Sequence, residues 1–389
     1  MHLSLSPYII VLDQDKTLSP GRLAWVKLKQ HKSAMFGLTV ICLSIFVAVF
    51  CYVLVPDNSP DSNSMNLQVS LQPPGTAISF LKIPRQNDQE KSLLSKWMGG
   101  NPSTHNLIPL YDWKMQRDSL FYREYAGDYA SPGEPGVVSL ANLKEEENAS
   151  ANPNKTTSAD QFISKKTFYL GTDRFGRDLL SRLMVATRVS LSVGLIAVVI
   201  SLFIGIGLGS LAGFYRGWVD KIILWFINVI WSIPTLLLVV AITMALGKGF
   251  IQVFIAVGLT MWVEVARLVR GQFFSLREQQ YVEAGRALGF NDSRIILRHI
   301  LPNIIGPVIV IAASNFASAI LLEAGLSFLG MGAQPPTPSW GMMIKENYSY
   351  IVVDAAWLAI FPGVAIALMV LSFTLLGNGL RDAFDTRST

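Results

Sequence analysis

Long apolar runs alternate with polar segments along the chain, and the length of each run predicts a helix that crosses a membrane. About 20 apolar residues in a helix span the hydrocarbon core of a bilayer. Six runs approach or exceed this length: 34–55, 189–215, 222–247, 249–269, 303–331 and 355–380. Prolines inside the third, fifth and sixth runs are tolerated where neighbouring helices satisfy the freed carbonyl groups. The pattern therefore predicts an all-α membrane protein with six transmembrane helices in a packed bundle.

The apolar runs divide the chain into four predicted parts. Residues 1–33 form an N-terminal segment, 34–55 the first transmembrane helix, 56–169 a large polar insert, and 170–389 a core with five further helices. Within the insert, we predict a disordered linker over 145–160, where the sequence is polar and poor in hydrophobic residues. The aromatic residues that we expect to nucleate a small core there are Trp97, Trp113, Phe121, Tyr122 and Tyr125.

Lysine and arginine flank the runs unevenly, and this asymmetry predicts the orientation of the chain. The short loops on one side hold only Lys248 and Lys345. The basic residues on the other side are Arg22, Lys27, Lys29, Lys32, Arg216, Lys221, Arg267, Arg270, Arg277, Arg286, Arg294, Arg298, Arg381 and Arg387. By the positive-inside rule, both termini and the loop 278–302 face the cytoplasm. The insert 56–169 is then extracytoplasmic, since long translocated segments escape that rule.

Composition excludes several other classes of protein. Only 15% of the residues are charged, whereas soluble domains carry about a quarter. The net charge of +5 is spread over the ends of the runs, which argues against nucleic acid as a partner. Cys42 and Cys51 lie in one helix, too far apart for a disulfide. The four histidines are scattered, so we expect no metal site. No G-x-x-x-x-G-K-[ST] phosphate loop occurs, so we expect no ATP hydrolysis by this chain.

The cytoplasmic loop 278–302, EQQYVEAGRALGFNDSRIILRHILP, predicts two short helices joined by a glycine turn. Tyr281, Ala284 and Leu288 recur at helical spacing on one face of the first helix, and Gly289 reads as its stop. Asn291 or Asp292 follows as the cap of the second helix. The apolar face of that second helix is formed by Ile295, Ile296 and Ile300, and Pro302 lies where the fifth span begins.

The segments Glu283-Ala284-Gly285, Gly289 and Ile300-Leu301-Pro302 resemble the EAA loop of ABC importer permeases. In that family the short helix of the loop seats in a groove of the ATPase subunit and carries its closing motion to the membrane. Gly285 stands where the common pattern has a second alanine, which keeps the side chain small but weakens the helix by about 1 kcal/mol. The resemblance implies an ATPase-coupling role for Tyr281, Glu283, Ala284, Gly285, Arg286, Ala287, Leu288, Gly289, Arg294 and Pro302.

Two further stretches narrow the resemblance. LGTDRFGRDLLSRL (170–183) precedes the second span, and LLEAGLSFLGMGAQPPTPSWG (321–341) covers the outer end of the fifth. Both are similar to signatures of the C-type permease of dipeptide, oligopeptide and nickel importers. The resemblance covers about 170–389 and, more loosely, the first span, whereas the large insert departs from the shorter outer loop of the family. It implies the type I ABC importer permease fold.

The resemblance also implies partners and a location. We expect a permease subunit in the bacterial inner membrane that imports di- or oligopeptides and forms half of the translocation pathway. Its expected partners are a homologous second permease, two ATP-binding subunits that hold ATP and Mg, an extracytoplasmic solute-binding protein and membrane lipid. We expect no cofactor on this chain.

The residues of the outer motifs favour structural roles on chemical grounds. Thr172 and Asp173 are predicted to cap an outer amphipathic helix, with Gly176 in the turn. Glu323 lies near the outer end of its span, where a hydrogen-bonding role and a gating role are both open. The outer residues that the resemblance marks are Gly171, Thr172, Asp173, Gly176, Arg177, Asp178 and Glu323, with Arg177 and Asp178 expected as solvated or paired charges.

Other functions remain open on the sequence alone. An importer permease for nickel chelates or other small solutes shares the same signatures. A membrane enzyme would need a cluster of His, Asp, Glu or Ser that the sequence does not display. A receptor or scaffold that acts through the insert would explain that segment, but not the EAA-like loop.

Overall fold

The computed structural model describes residues 20–84, 92–102, 105–116, 119–127, 132–139, 162–247 and 249–385. The predicted linker 145–160, most of the N-terminal segment 1–33, Lys248 and Arg387 lie outside these residues. The described chain forms two compact units. Of the described residues, those within 1–45, 190–332 and 365–389 form the membrane unit, and those within 46–189 and 333–364 form the second unit.

The helices begin and end as follows: α1 Pro20–Gln30, α2 Lys32–Leu54, α3 Leu93–Gly99, α4 Leu179–Tyr215, α5 Gly217–Trp231, α6 Thr235–Leu246, α7 Phe250–Leu276, α8 Gln280–Ala287, α9 Asp292–Arg294, α10 Ile305–Phe328, α11 Trp340–Asn347 and α12 Trp357–Phe384. Between α9 and α10 the chain continues as a π-helical segment, Ile295–Ile300, and a 3-10 turn, Leu301–Ile304. Shorter 3-10 turns lie at Pro60–Ser62, Leu67–Val69 and Tyr348–Val352.

Five described helices are long and apolar enough to cross a membrane: α2, α4, α7, the continuous stretch Asp292–Phe328, and α12. The helices α5 and α6 are long and apolar enough to cross a membrane only when they are taken together. If this pair counts as one span, the described residues contain six. Each of the six apolar runs thus coincides, within the described residues, with a helix or a helix pair that is long and apolar enough to cross a membrane.

The third predicted span, 222–247, is broken rather than gently kinked. The helices α5 and α6 meet at an angle of 92° across a short break. Pro234 has no backbone N–H to donate and biases Ile233 away from helical conformation, so the helix ends at Trp231 and restarts at Thr235. The third run therefore consists of two helices that meet at Pro234.

A row of glycines brings the backbones of α4 and α7 together in the membrane unit. Gly205, Gly209 and Gly213 are four residues apart and so share one face of α4. A Cβ atom at Gly205 would lie 2.5 Å from the Cβ of Val265, and one at Gly209 would lie 2.6 Å from the carbonyl oxygen of Ala266. Small residues at this spacing are the usual device for close helix packing in lipid, where no hydrophobic force drives helices together. We call this contact the glycine seam.

The second unit contains a sheet that the all-α prediction missed. Its five strands are all antiparallel, in the order β4-β3-β2-β1-β5. The strands are β1 Thr76–Pro84, β2 His105–Gln116, β3 Ser119–Tyr125, β4 Pro132–Ser139 and β5 Ile163–Phe168. The all-α description therefore holds for the membrane helices and not for the insert.

The two faces of the sheet carry separate apolar clusters. Leu81, Leu110, Leu120 and Phe162 form the core of one face. The core of the other face is formed by Val69, Ile78, Phe80, Tyr125 and Phe168. Of the aromatic residues expected to nucleate this core, Tyr125 is buried and Tyr122 packs at the edge of a cluster, whereas Trp97, Trp113 and Phe121 are exposed.

The glycine seam generates a first prediction. Replacing Gly209 with leucine places a branched side chain against the α7 backbone, which costs about 1–3 kcal/mol by overpacking. We expect the Gly209→Leu protein, purified in detergent, to lose its monodisperse gel-filtration peak at a lower temperature than the parent. Gly207 is the matched control, because a Cβ at that position meets nothing within 4 Å. Equal thermal stability of Gly209→Leu and Gly207→Leu would contradict the seam.

Candidate functional site

The helix α8 exposes most of the residues predicted to couple to an ATPase. Val282 and Gly285 are buried against the rest of the membrane unit. Tyr281, Ala284 and Leu288 are exposed, and Leu288 is 73% exposed. The small and apolar residues of this helix thus present a surface that the described chain does not cover.

The end of α8 is a Schellman motif built on Gly289. Gly289 has a φ of +78°, a conformation that favours glycine. The N–H of Phe290 donates to the carbonyl of Gly285 at 3.0 Å, and the N–H of Gly289 donates to that of Arg286 at 2.9 Å. A Cβ at Gly285 would lie 3.3 Å from Cδ2 of Phe290. The predicted helix stop is confirmed, and glycine at 285 gives Phe290 room to pack on the helix.

The second half of the loop anchors α8 to the membrane helices. Ile295, Ile296 and Ile300 are buried in one cluster with Val282 and with residues of α4 and α7, among them Phe214 and Phe273. Asn291 occupies the N-cap position of α9, but its side chain makes no capping hydrogen bond. The predicted pair of apolar helices is therefore present, and its apolar face joins the core.

Arginines of the loop stack on aromatic rings. The Cζ atom of Arg294 lies 4.1 Å from the ring centroid of Phe290, and that of Arg286 lies 5.4 Å from that of Phe214. Cation–π contacts of this kind stabilise by about 0.5–1 kcal/mol at exposed sites. The basic residues that predicted the orientation thus also shape the loop.

An ion pair, a hydrogen bond and a cation–π contact link α7 to α5. Arg270 donates from Nε and Nη2 to the two carboxylate oxygens of Asp220, at 2.5 and 2.8 Å. Arg267 donates to Oδ1 of Asn228 at 3.1 Å, and its Cζ lies 3.4 Å from the ring centroid of Trp231. These two arginines, which contribute to the charge asymmetry that predicts the orientation, thus also join α7 to α5.

The outer motif 171–178 holds the chain before β1 against the start of α4. The hydroxyl of Thr172 donates to the carbonyl of Val69 at 2.6 Å and accepts from the N–H of Gln72 at 2.8 Å. Gly176 has a φ of +69°, and a Cβ there would collide with the carbonyl oxygen of Asn66. The motif is thus a tight turn whose glycine is required by both conformation and space.

The N-cap prediction for Thr172 and Asp173 is wrong. The helix that follows is α4, which begins at Leu179. Its first turn is capped by Asp178, whose Oδ2 accepts from the N–H of Ser181 at 3.0 Å and also from the Ser181 hydroxyl. Burial raises the pKa of the Asp178 carboxyl, and the Ser181 bonds oppose that rise. The Thr172 hydroxyl instead forms hydrogen bonds with the backbone of Val69 and Gln72, and the Asp173 carboxylate accepts from Arg177.

Arg177 is the centre of a buried ion network in the second unit, and it is not solvated. It is 2% exposed and donates from Nε to Oδ2 of Asp173 at 2.6 Å. Its Nη2 donates to Glu346 at 2.9 Å and its Nη1 to Asn63 at 3.1 Å. Arg182 joins the same two carboxylates, at 3.5 Å from Glu346 and 3.8 Å from Asp173. Three distant stretches of sequence thus meet at one guanidinium.

Glu323 is buried within α10, where it is 2% exposed. The hydroxyl of Ser327 donates to its Oε1 at 2.6 Å, and that of Ser190 to its Oε2 at 3.4 Å. Because Ser190 belongs to α4, the carboxyl links α4 to α10. A role in gating stays a prediction.

Two parts of the chain match known families of membrane transport proteins. Residues 205–389 match the family described as the binding-protein-dependent transport system inner membrane component. Residues 19–74 match the N-terminal transmembrane domain of oligopeptide transport permease C. Together they describe a multi-pass inner-membrane permease subunit.

Curated relatives place the chain within this class. It is 44% identical over 219 residues to the glutathione transport system permease protein GsiD of Pectobacterium atrosepticum. The aligned region covers 56% of this chain and 72% of the relative. With the same coverage it is 42% identical to the dipeptide transport system permease protein DppC of Alkalihalophilus pseudofirmus. A solved inward-facing structure of the MetNI methionine ABC transporter has a TM-score of 0.43 at 18% identity, over 52% of this chain and 95% of that one. The chain belongs to the type I ABC importer permeases of the peptide-transporter family.

Membership in this family fixes several properties. The permease is a non-catalytic membrane component without a cofactor of its own, and ATPase activity lies in partner subunits. It functions together with ATPase and substrate-binding subunits. The membrane-enzyme and receptor alternatives are not favoured.

The Arg177 network generates a second prediction. Replacing Arg177 with methionine leaves Asp173 and Glu346 buried with less compensation, and breaking a buried pair in this way costs about 3–5 kcal/mol. We expect the thermal midpoint of the purified Arg177→Met protein to fall by several degrees. Trypsin should also cut residues 56–169 faster than in the parent.

The matched control for this experiment is Arg174→Met, because Arg174 is exposed three residues away in the same motif. We expect it to behave like the parent. If Arg177→Met is as stable and as protease-resistant as Arg174→Met, the network does not hold this unit together.

Proposed function

We propose that this chain is the permease subunit of an ATP-driven importer of di- or oligopeptides. The observation that carries the proposal is the match to peptide permeases at 42–44% identity, which extends over 72% of their length. The outer motif, the EAA-like loop and the 321–341 segment fall in the same order as in the C-type permeases that the sequence resembles. Nickel chelates and other small solutes are not favoured as substrates by these relatives.

We place both termini and the loop 278–302 in the cytoplasm, and the insert 56–169 on the outer side. The support is the crowding of arginines around the loop against the two lysines of the opposite short loops. In this orientation α8 faces the compartment that contains ATP, and the sheet faces the compartment from which a solute arrives.

The proposed assembly contains a homologous second permease, two ATP-binding subunits that carry ATP and Mg, and a solute-binding protein outside. The translocation pathway would run between the two permeases. Exposed aromatic residues on α5, such as Trp218 at 78% and Trp225 at 59% exposure, are compatible with contact to lipid or to the second permease.

Coupling would pass through α8. Tyr281, Ala284 and Leu288 would contact a groove of the ATPase, and Glu283 and Arg286 would add charged contacts at its edge. The buried side of α8 and the isoleucines that follow pack on α4 and α7. A displacement of α8 would therefore move helices of the membrane unit instead of being absorbed by a loose loop.

This proposal generates a third prediction. Glu283→Lys reverses a charge on the exposed face of α8, and Gly289→Asp strains the turn that ends it. We expect both proteins to insert into the membrane and to purify normally. The amount of ATPase subunit that co-purifies should fall about tenfold or more relative to the parent. Peptide uptake by cells that depend on the transporter should be lost. The measurement is quantitative co-purification of the ATPase with the tagged permease.

The control is Glu134→Lys, which makes the same charge change on the exposed strand β4 of the insert. We expect parental co-purification from this protein. Normal recovery of the ATPase with both α8 variants would overturn the coupling role, while the family membership would stand.

A further inference from the structure

The insert contains a cavity that none of the permease functions above uses. Its volume is about 510 Å³, within the range of small-molecule sites in proteins. One face of the sheet forms its floor, and the segment 59–69, which precedes β1, forms a wall. All of its lining residues belong to the second unit.

Strand register explains why these residues meet. Lys166 on β5 pairs with Ile78 on β1, and Leu107 on β2 pairs with Lys82 on β1. Because side chains alternate between the faces of a strand, Phe80, Phe168, Lys166 and Leu107 share one face of the sheet. Asn66 closes the wall over this face by donating from its side chain to the carbonyl of Leu107 at 2.9 Å.

The floor is aromatic and rigid. Phe80 and Phe168 are each 2% exposed and meet edge to face, with their ring centroids 6.2 Å apart. Val69 packs against them from the covering segment. A ligand in this cavity therefore meets a fixed apolar surface at one side.

The rim is basic and rich in hydrogen-bond donors. Lys166 is half-buried, its Nζ lies 5.2 Å from the Phe168 ring centroid, and it forms no salt bridge with any described residue. The Oδ1 of Asn63 is occupied by Arg177, so the amide nitrogen is the end of that side chain left to donate. His105 adds an imidazole. No carboxylate is present among the described residues that line the cavity.

The Lys166 ammonium is half-buried and interacts with the Asp178 carboxylate without forming a direct salt bridge to any described residue. Such an ammonium favours an anion, and the aromatic floor favours an apolar group beside it. We propose that this cavity binds the C-terminal residue of a short peptide. The carboxylate would pair with Lys166 and the Asn63 amide, and an apolar side chain would lie on Phe80 and Phe168. The choice of a peptide as the ligand rests on the proposed function, whereas the preference for an apolar carboxylate comes from the cavity itself.

The test uses the full chain in lipid nanodiscs, without partner subunits. Binding of L-alanyl-L-phenylalanine and of its C-terminal amide is measured by isothermal titration calorimetry. We expect saturable binding of the acid, and at least tenfold weaker binding of the amide. Lys166→Met should weaken binding of the acid at least tenfold, and Lys166→Arg should restore most of it.

The matched control is Lys165→Met, because Lys165 is the next residue of β5 and lies on the opposite face of the sheet, paired with Ser79. It should bind the acid as the parent does. Absence of binding by the parent chain, equal binding of acid and amide, or equal losses from Lys165→Met and Lys166→Met would each overturn the proposal. Lys166→Arg keeps the test decisive if the methionine variant is unstable.

A separate assay distinguishes this proposal from the proposed function. Uptake of the same dipeptide is measured with the complete transporter and its solute-binding protein. Uptake without binding to the isolated chain would refute the cavity site and leave the importer intact. Binding without uptake would support the cavity site and refute the proposed dipeptide transport.

Discussion

The close approach of α4 and α7 along the glycine seam is the contact on which the membrane unit depends. Lipid chains are as apolar as the helices, so association relies on packing, and packing improves as backbones approach. Gly213 lies at the end of the seam that is next to Phe214 and Phe273. A Cβ atom at position 213 would collide with the Cβ of Phe273. Those two rings belong to the cluster that buries Ile295, Ile296 and Ile300. The seam therefore positions the helices of the membrane unit on which α8 packs.

The second unit depends on a buried network of ion pairs. Burying Arg177 and Arg182 removes two guanidinium groups from water, a cost that only well-placed carboxylates and amides offset. Asp173 and Glu346 supply the charge, and Asn63 supplies a further acceptor. Well-packed apolar residues can often replace a buried ion pair without loss of stability, but removal of one partner is strongly destabilising because it leaves a buried charge uncompensated. The outer motif thus specifies how the segment before β1, the start of α4 and the helix α11 meet.

The sequence predicted the features that are set by local chemistry. Apolar run length locates the spans, and Gly289 marks the end of α8 because few other residues adopt its left-handed conformation. The seam was also visible as small residues four apart at Gly205, Gly209 and Gly213, but its importance depends on which helix lies opposite. The N-cap was misplaced because Thr172, Asp173 and Asp178 are equally good caps by residue type. The sheet was missed because strand formation depends on pairing partners that are distant in sequence, as for Ile78 and Lys166. The break at Pro234 follows a known rule, yet the angle of 92° depends on packing that no local pattern contains.

We propose that peptide import by this permease is coupled to ATP hydrolysis in its partner subunits. The most direct measurement isolates the tagged chain from native membranes under mild conditions and assays ATPase activity of the recovered complex. We expect co-recovery of a second permease and ATP-binding subunits, with ATP turnover raised by a peptide-loaded solute-binding protein and not by the unloaded protein. Recovery of the chain without any ATP-binding subunit, or turnover that is indifferent to the loaded binding protein, would contradict it.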